Sequence, residues 1–407
     1  MKRALPLLAL LGVLGCGAEL NRSSEVEGLR VLGVHKSKSY ARAGDEVTFS
    51  MLWHDTKGRD VTPVWFAASE AEVGLLAAFL EQQFGVGRPV PSGMSPWQDS
   101  SELMPVCANP PRDSYFGCLE THRQAFEGFD GAIDLLSQRG DSITLSVPSS
   151  IVSRPELPPE VGVPALRSCS EISDDYSCRS IYHPPPDTDD LPNFGSMFVF
   201  FALCPGTLTY DAGVKEGFGL LCLDADDRPL GPSDFVFGYS EVFLYEELAN
   251  QNPVIDGMVV DGTEATACVG LDCLESDDRP EECADGIVCL DVCTEKDEDD
   301  CPEIDVKPLI PRTFACGAGE CKNAEQDELA QLAYGRSYTE QMWIRYYADH
   351  GKMASEVKLL NDATTGWNAD FGTKLRLPQE PGPLRLWAVV YDNRGGQNWV
   401  RVDTVVK

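Results

Sequence analysis

Val47-Thr-Phe-Ser-Met-Leu-Trp53 is the stretch that decides the fold class of this 407-residue chain. Every second residue from Val47 to Trp53 is large and apolar and the residues between are smaller or polar, which is the period of a half-buried β-strand. Turn-forming residues flank the stretch, in residues 43–46 before it and 55–58 after it. The pattern therefore predicts a strand bounded by turns.

Strand patterns continue through the first 250 residues. Apolar runs occur at residues 29–34 and 61–66, and alternation resumes at residues 142–147. Residues 197–203 are continuously apolar, which is typical of a buried central strand. We expect residues 234–245 to form the partner of that strand.

The same order of patterns recurs in the last third of the chain. It begins at residues 252–257 and continues, after a cysteine-rich stretch, at residues 341–347, 373–377, 384–391 and 399–406. The recurrence predicts a mainly β protein with two β-sandwiches in tandem, at residues 28–250 and 251–407.

The order of strands and turns up to Trp65 resembles the opening of immunoglobulin-like and PKD-like sandwich domains of bacterial surface proteins. The segment Val390-Tyr-Asp-Asn-Arg-Gly-Gly396 resembles the last hairpin turn of PKD-like domains. Asparagine and glycine suit such a turn because they tolerate positive backbone dihedrals. The resemblance implies that both sandwiches are immunoglobulin-like or PKD-like.

Three segments interrupt the two predicted sandwiches. Residues 69–140 contain apolar residues at helical spacing, at 71–84 and 121–136, and predict a helical insertion. Residues 151–193 are rich in proline and acidic residues and predict a long loop. Residues 268–321 are acidic and rich in cysteine, with few large apolar side chains. We expect this segment to be an exposed lobe whose disulfides supply its rigidity.

The chain opens on a positively charged start and a short apolar run, which predict a signal peptide at residues 1–15. The run ends in Val13-Leu-Gly-Cys16, which resembles the lipobox of bacterial lipoproteins. In that family the leader is cut before the cysteine, which then carries a diacylglyceryl thioether and an N-acyl chain. The resemblance implies a membrane anchor at Cys16, followed by a tether at residues 16–27.

The resemblance also bears on location. Gly17 follows the cysteine where inner-membrane lipoproteins have aspartate, which implies sorting to the outer membrane. The general pattern is similar to surface lipoproteins of the myxobacterial type.

Of the fifteen cysteines, Cys16 is assigned to the lipid, and the remaining fourteen are an even number. An even number is typical of a disulfide-bonded exported protein. Close spacing favours four local pairs: Cys107 with Cys118, Cys169 with Cys178, Cys204 with Cys222, and Cys316 with Cys321. The other six leave the pairing open: Cys268, Cys273, Cys283, Cys289, Cys293 and Cys301. Zinc is the alternative reading of these thiols, but the chain has no Cys-x-x-Cys motif.

The formal net charge of −32 argues against binding to nucleic acid, because a surface this acidic repels phosphate backbones. The carboxylates between Cys293 and Cys301 have the oxygen chemistry that calcium prefers, with Asp297, Asp299 and Asp300 as candidates. The ordered spacing of a calcium loop is missing, so a solvated acidic loop is the preferred interpretation. No other cofactor is indicated.

No arrangement of residues typical of an enzyme occurs, since the five histidines are scattered singly and no Gly-x-Ser-x-Gly motif is present. We therefore interpret the chain as a non-catalytic binding, adhesion or structural module, whose partner is an envelope protein or a glycan. Trp343, Tyr346 and Tyr347 share one strand, where they either face outward to a ligand or pack against the cysteine-rich segment. The alternative is a glycan hydrolase that uses a carboxylate pair, which leaves no local signature.

The lipobox generates a prediction about attachment. Replacing Cys16 with serine removes the only sulfur that could carry the thioether, so the protein should leave the membrane fraction or remain unprocessed. Fractionation of cells that express either form checks this. Unchanged membrane association, with the leader cut elsewhere, would contradict the assignment.

Overall fold

The computed structural model describes residues 23–69, 138–147, 192, 194–210, 220–231, 233–274, 279–317, 319–334 and 336–407. Cys16 and its leader, both predicted helices of the 69–140 segment and almost all of the 151–193 loop lie outside these residues. So do the predicted pairs Cys107–Cys118 and Cys169–Cys178.

Between residues 29 and 245, the described parts of the chain contain ten strands. In chain order they are β1 (Leu29–Lys36), β2 (Tyr40–Ala41), β3 (Glu46–Asp55), β4 (Val64–Ser69), β5 (Gln138–Arg139), β6 (Ser142–Ser146), β7 (Phe194–Leu203), β8 (Thr207–Tyr210), β9 (Leu220–Leu223) and β10 (Val236–Tyr245).

Fourteen further strands, with little helix among them, occur in the described residues from 257 to 406. The strands are β11 (Gly257–Val260), β12 (Thr263–Glu264), β13 (Ala267–Val269), β14 (Cys289–Leu290), β15 (Glu303–Leu309), β16 (Thr313–Cys316), β17 (Gly319–Lys322), β18 (Met342–Ala348), β19 (Lys352–Met353), β20 (Val357–Asp362), β21 (Gly366–Trp367), β22 (Thr373–Arg376), β23 (Gly382–Asp392) and β24 (Gln397–Val406). The described helical elements are α1 (Glu328–Tyr334) and two 3₁₀ turns, Gly270–Leu274 and Glu298–Asp300.

Two sheets from the first ten strands face each other, and we call them the N-terminal sheet pair. One has the strand order β1-β3-β6 and the other β2-β10-β7-β4-β5. Between them lies a core that includes Phe49, Met51, Trp65 and Val199, all fully buried. The alternation of β3 places Phe49 and Met51 on the same face, because successive side chains of a strand point to opposite sides.

Two larger sheets form the C-terminal sheet pair. The first has the order β12-β11-β15-β22-β19, and the second has the order β13-β24-β23-β18-β20-β21, with β14 also paired to β24. Their shared core includes Met258, Ile344, Leu375 and Val390. The chain is thus mainly β, with two sandwich-like pairs of sheets.

Several of the predicted strands are confirmed. Strand β3 contains the opening stretch, and β7 lies inside its sheet between β10 and β4. Strand β10 pairs antiparallel with β7, as the sequence predicts for residues 234–245. The repeat near the C-terminus corresponds to β18, β22, β23 and β24, and the Val390–Gly396 turn joins β23 to β24 in a hairpin.

The expectation of an exposed lobe at residues 268–321 is wrong. Strand β15 lies inside a sheet between β11 and β22, and β13 and β14 both pair with β24. Val288, Leu290 and Val306 are buried in the core of the C-terminal sheet pair, together with the sulfur bridge from Cys293 to Cys301. Apolar residues are few here, but those of β14 and β15 lie in strands that pair with neighbouring strands, so this part of the segment shares the core of the C-terminal sheet pair.

Five disulfides occur within the described residues. They are Cys204–Cys222, Cys268–Cys273, Cys283–Cys289, Cys293–Cys301 and Cys316–Cys321. The first and last are pairs that the sequence spacing predicts, and the other three close short loops that spacing alone left open. Such a number of disulfides indicates an extracellular or otherwise oxidising compartment. Among the described helices, none is long and apolar enough to cross a membrane.

The two sheet pairs are joined by a third apolar cluster, the junction cluster. It contains Val26, Leu32 and Leu52 from the N-terminal side and Cys273, Tyr347, Trp387, Val389 and Trp399 from the C-terminal side. Strand β1 lies so close to the second sheet that a Cβ on Gly33 would be 3.3 Å from the side chains of Trp399 and Val389. This contact fixes the two pairs at one relative position.

The Cys204–Cys222 disulfide generates a stability prediction. It joins the end of β7 to β9 and encloses a sequence separation of 18, against 5 for Cys316–Cys321. Loop-closure entropy therefore predicts a loss of about 3 kcal/mol in unfolding free energy when Cys204 and Cys222 become alanine, and about 2 kcal/mol for the matched change at Cys316 and Cys321. Chemical denaturation of both double variants measures the order, and a larger loss for Cys316 and Cys321 would contradict it.

Candidate binding site

A groove of about 410 Å³ lies where the two sheet pairs meet. One wall comes from β10, with Tyr239, Glu241 and Phe243, and the other from β18 and β23, with Trp343, Arg345 and Tyr391. We call it the junction groove. Its volume is within the range of small-molecule and cofactor pockets.

Strand alternation positions the C-terminal wall. In β18, Met342, Ile344 and Tyr346 point into the core, and the Tyr346 hydroxyl donates to the carbonyl of Phe371. The residues between them therefore point to the other face of the sheet. There Tyr347 is buried in the junction cluster, Trp343 is half-buried and Arg345 is exposed.

Aromatic rings form most of this wall. Trp343 and Tyr391 are directly opposite each other on β18 and β23, and their rings are nearly parallel, with an interplanar angle of 7° and centroids 5.7 Å apart. The Tyr391 hydroxyl donates to the carbonyl of Leu32 at 2.7 Å, which fixes the ring against β1. Across the groove, Tyr239 is 57% exposed.

Two guanidinium groups lie over rings of this surface. The Arg345 guanidinium is 5.9 Å from the Tyr391 centroid, and that of Arg30 is 5.3 Å from the Tyr347 centroid. Burial raises the pKa of the Tyr391 hydroxyl, and the charges of Arg345 and Arg30 oppose that rise. Within the part of the chain that the structure describes, neither arginine forms an ion pair with a carboxylate.

The turn between β23 and β24 forms the floor. The Asp392 carboxylate accepts hydrogen bonds from the backbone N–H groups of Arg394 at 2.8 Å and Gly396 at 2.7 Å, and from the Asn250 amide. Glycine is required at 396, because a Cβ there would be 2.1 Å from the Asp392 carboxylate. These bonds leave the turn with a single conformation.

Lys36 lies under the groove and is 3% exposed. Its ammonium donates to the carbonyl of Glu241 at 2.6 Å, which joins β1 to β10. Burial lowers its pKa to about 8, while the charges of Asp392 and Glu241 act in the opposite direction. Lys36 therefore ties the floor of the groove to one of its walls.

A buried polar network around Arg394 stabilises the turn between β23 and β24. The Arg394 guanidinium donates to the carbonyls of Ala249 and Gln326, contacts the Glu325 carboxylate and lies 5.0 Å from the ring centroid of Tyr40. One side chain thus connects both sheet pairs.

Glu340 is fully buried in this network. Its Oε1 accepts the backbone N–H of Glu325 at 3.2 Å, and its Oε2 is 3.6 Å from the Arg394 guanidinium. Burial, followed by the charge of Asp392, raises the pKa of Glu340 to about 8. Burial likewise raises the pKa of Asp392. At neutral pH Glu340 therefore holds a proton that its carboxyl group would release in water.

Glu241 and Asp392 are the carboxylates that line the groove. A glycan hydrolase acting in this groove would have to use Glu241 and Asp392 as its carboxylate pair. Asp392, however, has a structural role, because its oxygens hold the turn between β23 and β24.

A second cavity of about 300 Å³ lies beside His54. His54 is buried, with its ring centroid 5.0 Å from that of Trp387 and its Nε2 2.6 Å from an Arg279 nitrogen. Arg279 also forms an ion pair with Asp349 at 2.8 Å, and Asp349 accepts the backbone N–H of Arg385. His54 thus contributes to the contact between the sheet pairs.

The calcium candidates take part in local contacts. Asp297 accepts the backbone N–H of Asp299 at the start of the 3₁₀ turn, and the Asp299 carboxylate pairs with Arg376. Asp300 is exposed beside them. Within the described segments no group of three or more histidine, cysteine or acidic residues is arranged to hold a metal ion.

Sequence reasoning found part of the groove. Trp343 and Tyr347 lie on its wall, while Tyr346 belongs to the core. The sequence analysis missed Tyr239 and Arg345, which the fold brings together from strands about a hundred residues apart. Tyr239 could have been found from the sequence, because it is an aromatic residue at a position of the predicted strand 234–245 whose side chain points away from the core.

Comparisons with known proteins leave the family open. No protein-family model and no curated protein matches the chain. Escherichia coli α2-macroglobulin in its native conformation is similar with a TM-score of 0.22 and 9% identity, over 94% of this chain and 17% of that one. The three N-terminal domains of the outer capsid protein Hoc of bacteriophage RB49 give a TM-score of 0.15 and 8% identity, over 93% of this chain and 99% of theirs. The chain spans less than a fifth of the α2-macroglobulin that it matches, and likeness at this level carries no statement about function.

Glu340 generates a pH prediction. Because its pKa is raised in the folded state, its contribution to stability is complete below about pH 4.5 and declines as the pH rises towards 8. His35, whose pKa burial lowers to about 4, changes stability mainly below pH 6.5. Between pH 6.5 and 7.5 the unfolding free energy of the wild type should therefore fall more steeply than that of Glu340→Gln. Denaturant titrations at both pH values measure the slopes, with the exposed Glu320→Gln as control, and equal slopes in all three proteins would contradict the assignment.

Proposed function

We propose that this chain is an exported lipoprotein, anchored in the outer membrane through Cys16, that binds an envelope partner without transforming it. The two sheet pairs are then immunoglobulin-like or PKD-like sandwiches, and the junction groove is the binding site. The disulfides support export, and the lipobox in the sequence supports the anchor.

The observation that carries the proposal is the aromatic wall of the groove. Trp343 and Tyr391 present nearly parallel rings at a surface where Tyr239 is more than half exposed. Aromatic side chains have an apolar body and a polar tip, and they provide much of the binding energy at recognition sites. These three aromatic side chains line one groove of the described surface.

Rigidity of the groove also supports a binding role. Its floor is fixed by the Asp392 hydrogen bonds, and Lys36 ties β1 to the β10 wall. A site that is ordered before the ligand arrives loses less conformational entropy on binding, so more of the contact energy appears as affinity.

Removal of the Trp343 ring tests the proposal. In Trp343→Ala, retention of the purified protein on delipidated cell envelopes should weaken roughly tenfold, because a central aromatic contact is lost. Co-sedimentation over a range of envelope concentrations measures the change.

Trp367→Ala is the matched control. Trp367 is also half-buried, and it packs at the edge of the C-terminal core, outside the groove. Its variant should retain wild-type binding. Equal retention of wild type and Trp343→Ala, or no retention of the wild type, would overturn the proposal.

A further inference from the structure

The charge at the mouth of the junction groove differs from the charge of the whole chain. The formal net charge is −32, yet Arg345 is exposed beside Tyr391 and, among the described residues, has no carboxylate partner. Arg30 adds a second guanidinium over the neighbouring Tyr347. Remote acidic residues are screened beyond about 8 Å at physiological ionic strength, so a ligand in the groove experiences mainly local charges. Of the charged residues that line the groove, Lys36 and Asp392 are buried and Glu241 is half-buried, whereas Arg345 is exposed.

From this surface we infer that the ligand is an acidic glycan, in which a sugar ring stacks on Trp343 while its carboxylate pairs with Arg345. The inference rests on the proposed function and specifies the class of ligand. The planar guanidinium of arginine can donate two parallel hydrogen bonds to one carboxylate, which gives both strength and orientation.

Residues on the β10 wall determine how the sugar is oriented in the groove. Glu241 lies on that wall and repels an acidic group, whereas Tyr239 presents an exposed aromatic side chain to neutral parts of the sugar. A uronic acid residue therefore fits with its carboxylate at the β18 side and its hydroxyl groups towards β10.

An acidic polypeptide fits the groove less well. Strands β18 and β23 are both internal to their sheet, so their main-chain groups are already paired. On β1, Leu32 and Lys36 use their carbonyls to accept the Tyr391 hydroxyl and the Asn252 amide, and Val34 donates its N–H to Gln397. An extended peptide usually gains affinity by adding to an open strand edge, and neither β18 nor β23 offers one to the groove.

The test uses oligosaccharides of three to four residues from polygalacturonate, alginate and hyaluronate, each also in a carboxyl-reduced form that is neutral. Titration calorimetry with the purified full chain compares each pair. At least one acidic form should bind, with its reduced form about ten- to hundredfold weaker, because one charge-assisted bidentate contact is lost.

Arg345 variants identify the group responsible. Arg345→Gln should remove the preference for the acidic form, and Arg345→Lys should restore only part of it, since lysine keeps the charge without the planar donors. Arg312→Gln is the matched control, because Arg312 is an exposed arginine 5.9 Å from the ring centroid of Trp367, away from the groove. It should bind like the wild type.

The outcomes separate the inference from the proposed function. Equal binding of acidic and reduced forms, abolished by Trp343→Ala, overturns the carboxylate contact and leaves the groove as the binding site. Binding to none of the oligosaccharides overturns the glycan assignment, while Trp343-dependent retention on envelopes would still support the groove. Failure of both assays overturns both.

Discussion

The packing of strand β1 on the outer face of the second C-terminal sheet is the contact on which the rest of the structure depends. Gly33 allows it, because the backbone lies directly against Trp399 and Val389, where a side chain would have to displace one of them. The junction cluster around Leu32 and Tyr347 removes apolar surface from both sheet pairs at once. The two sandwich-like units therefore share one apolar contact, and the groove lies beside it.

Buried polar side chains at the same junction also stabilise the geometry of the groove. Arg394 and Lys36 each contact residues of both sheet pairs, and both are almost completely buried. Buried charges cost free energy unless they are paired, so each of these contacts holds its partners to a narrow geometry. Glu340 adds a pH-sensitive part to this arrangement, because its carboxyl group is stable there mainly in the protonated form.

Local patterns in the sequence predicted the strands. The site could not be predicted in the same way, because its residues are far apart in the sequence. The alternation of Val47 to Trp53 and the apolar run that ends at Leu203 specify strands without any tertiary information. The cysteine-rich segment was misjudged because Val288 and Val306 give no periodic signal, and their burial depends on neighbouring strands. The groove needed the fold as well, since Tyr239 and Arg345 come together only when β1 has packed between their sheets.

The segment that leads into β1 has a mechanical consequence. Before β1 begins, Ser24 accepts the backbone N–H of Ala348, and Val26 donates its own N–H to the carbonyl of Ala348. Tension applied to the chain at Ser23 is therefore borne first by its hydrogen bonds to the Glu356 carboxylate and by the end of β18, both on the C-terminal sheet pair, although the residues pulled precede the N-terminal pair. The force is transmitted through the contact between the two sheet pairs, so pulling acts on the same interface that forms the groove. On the proposed function, membrane attachment and ligand binding would then depend on the same interface. The strength of the contact between the two sheet pairs would set the pulling force at which the ligand-bound groove is lost.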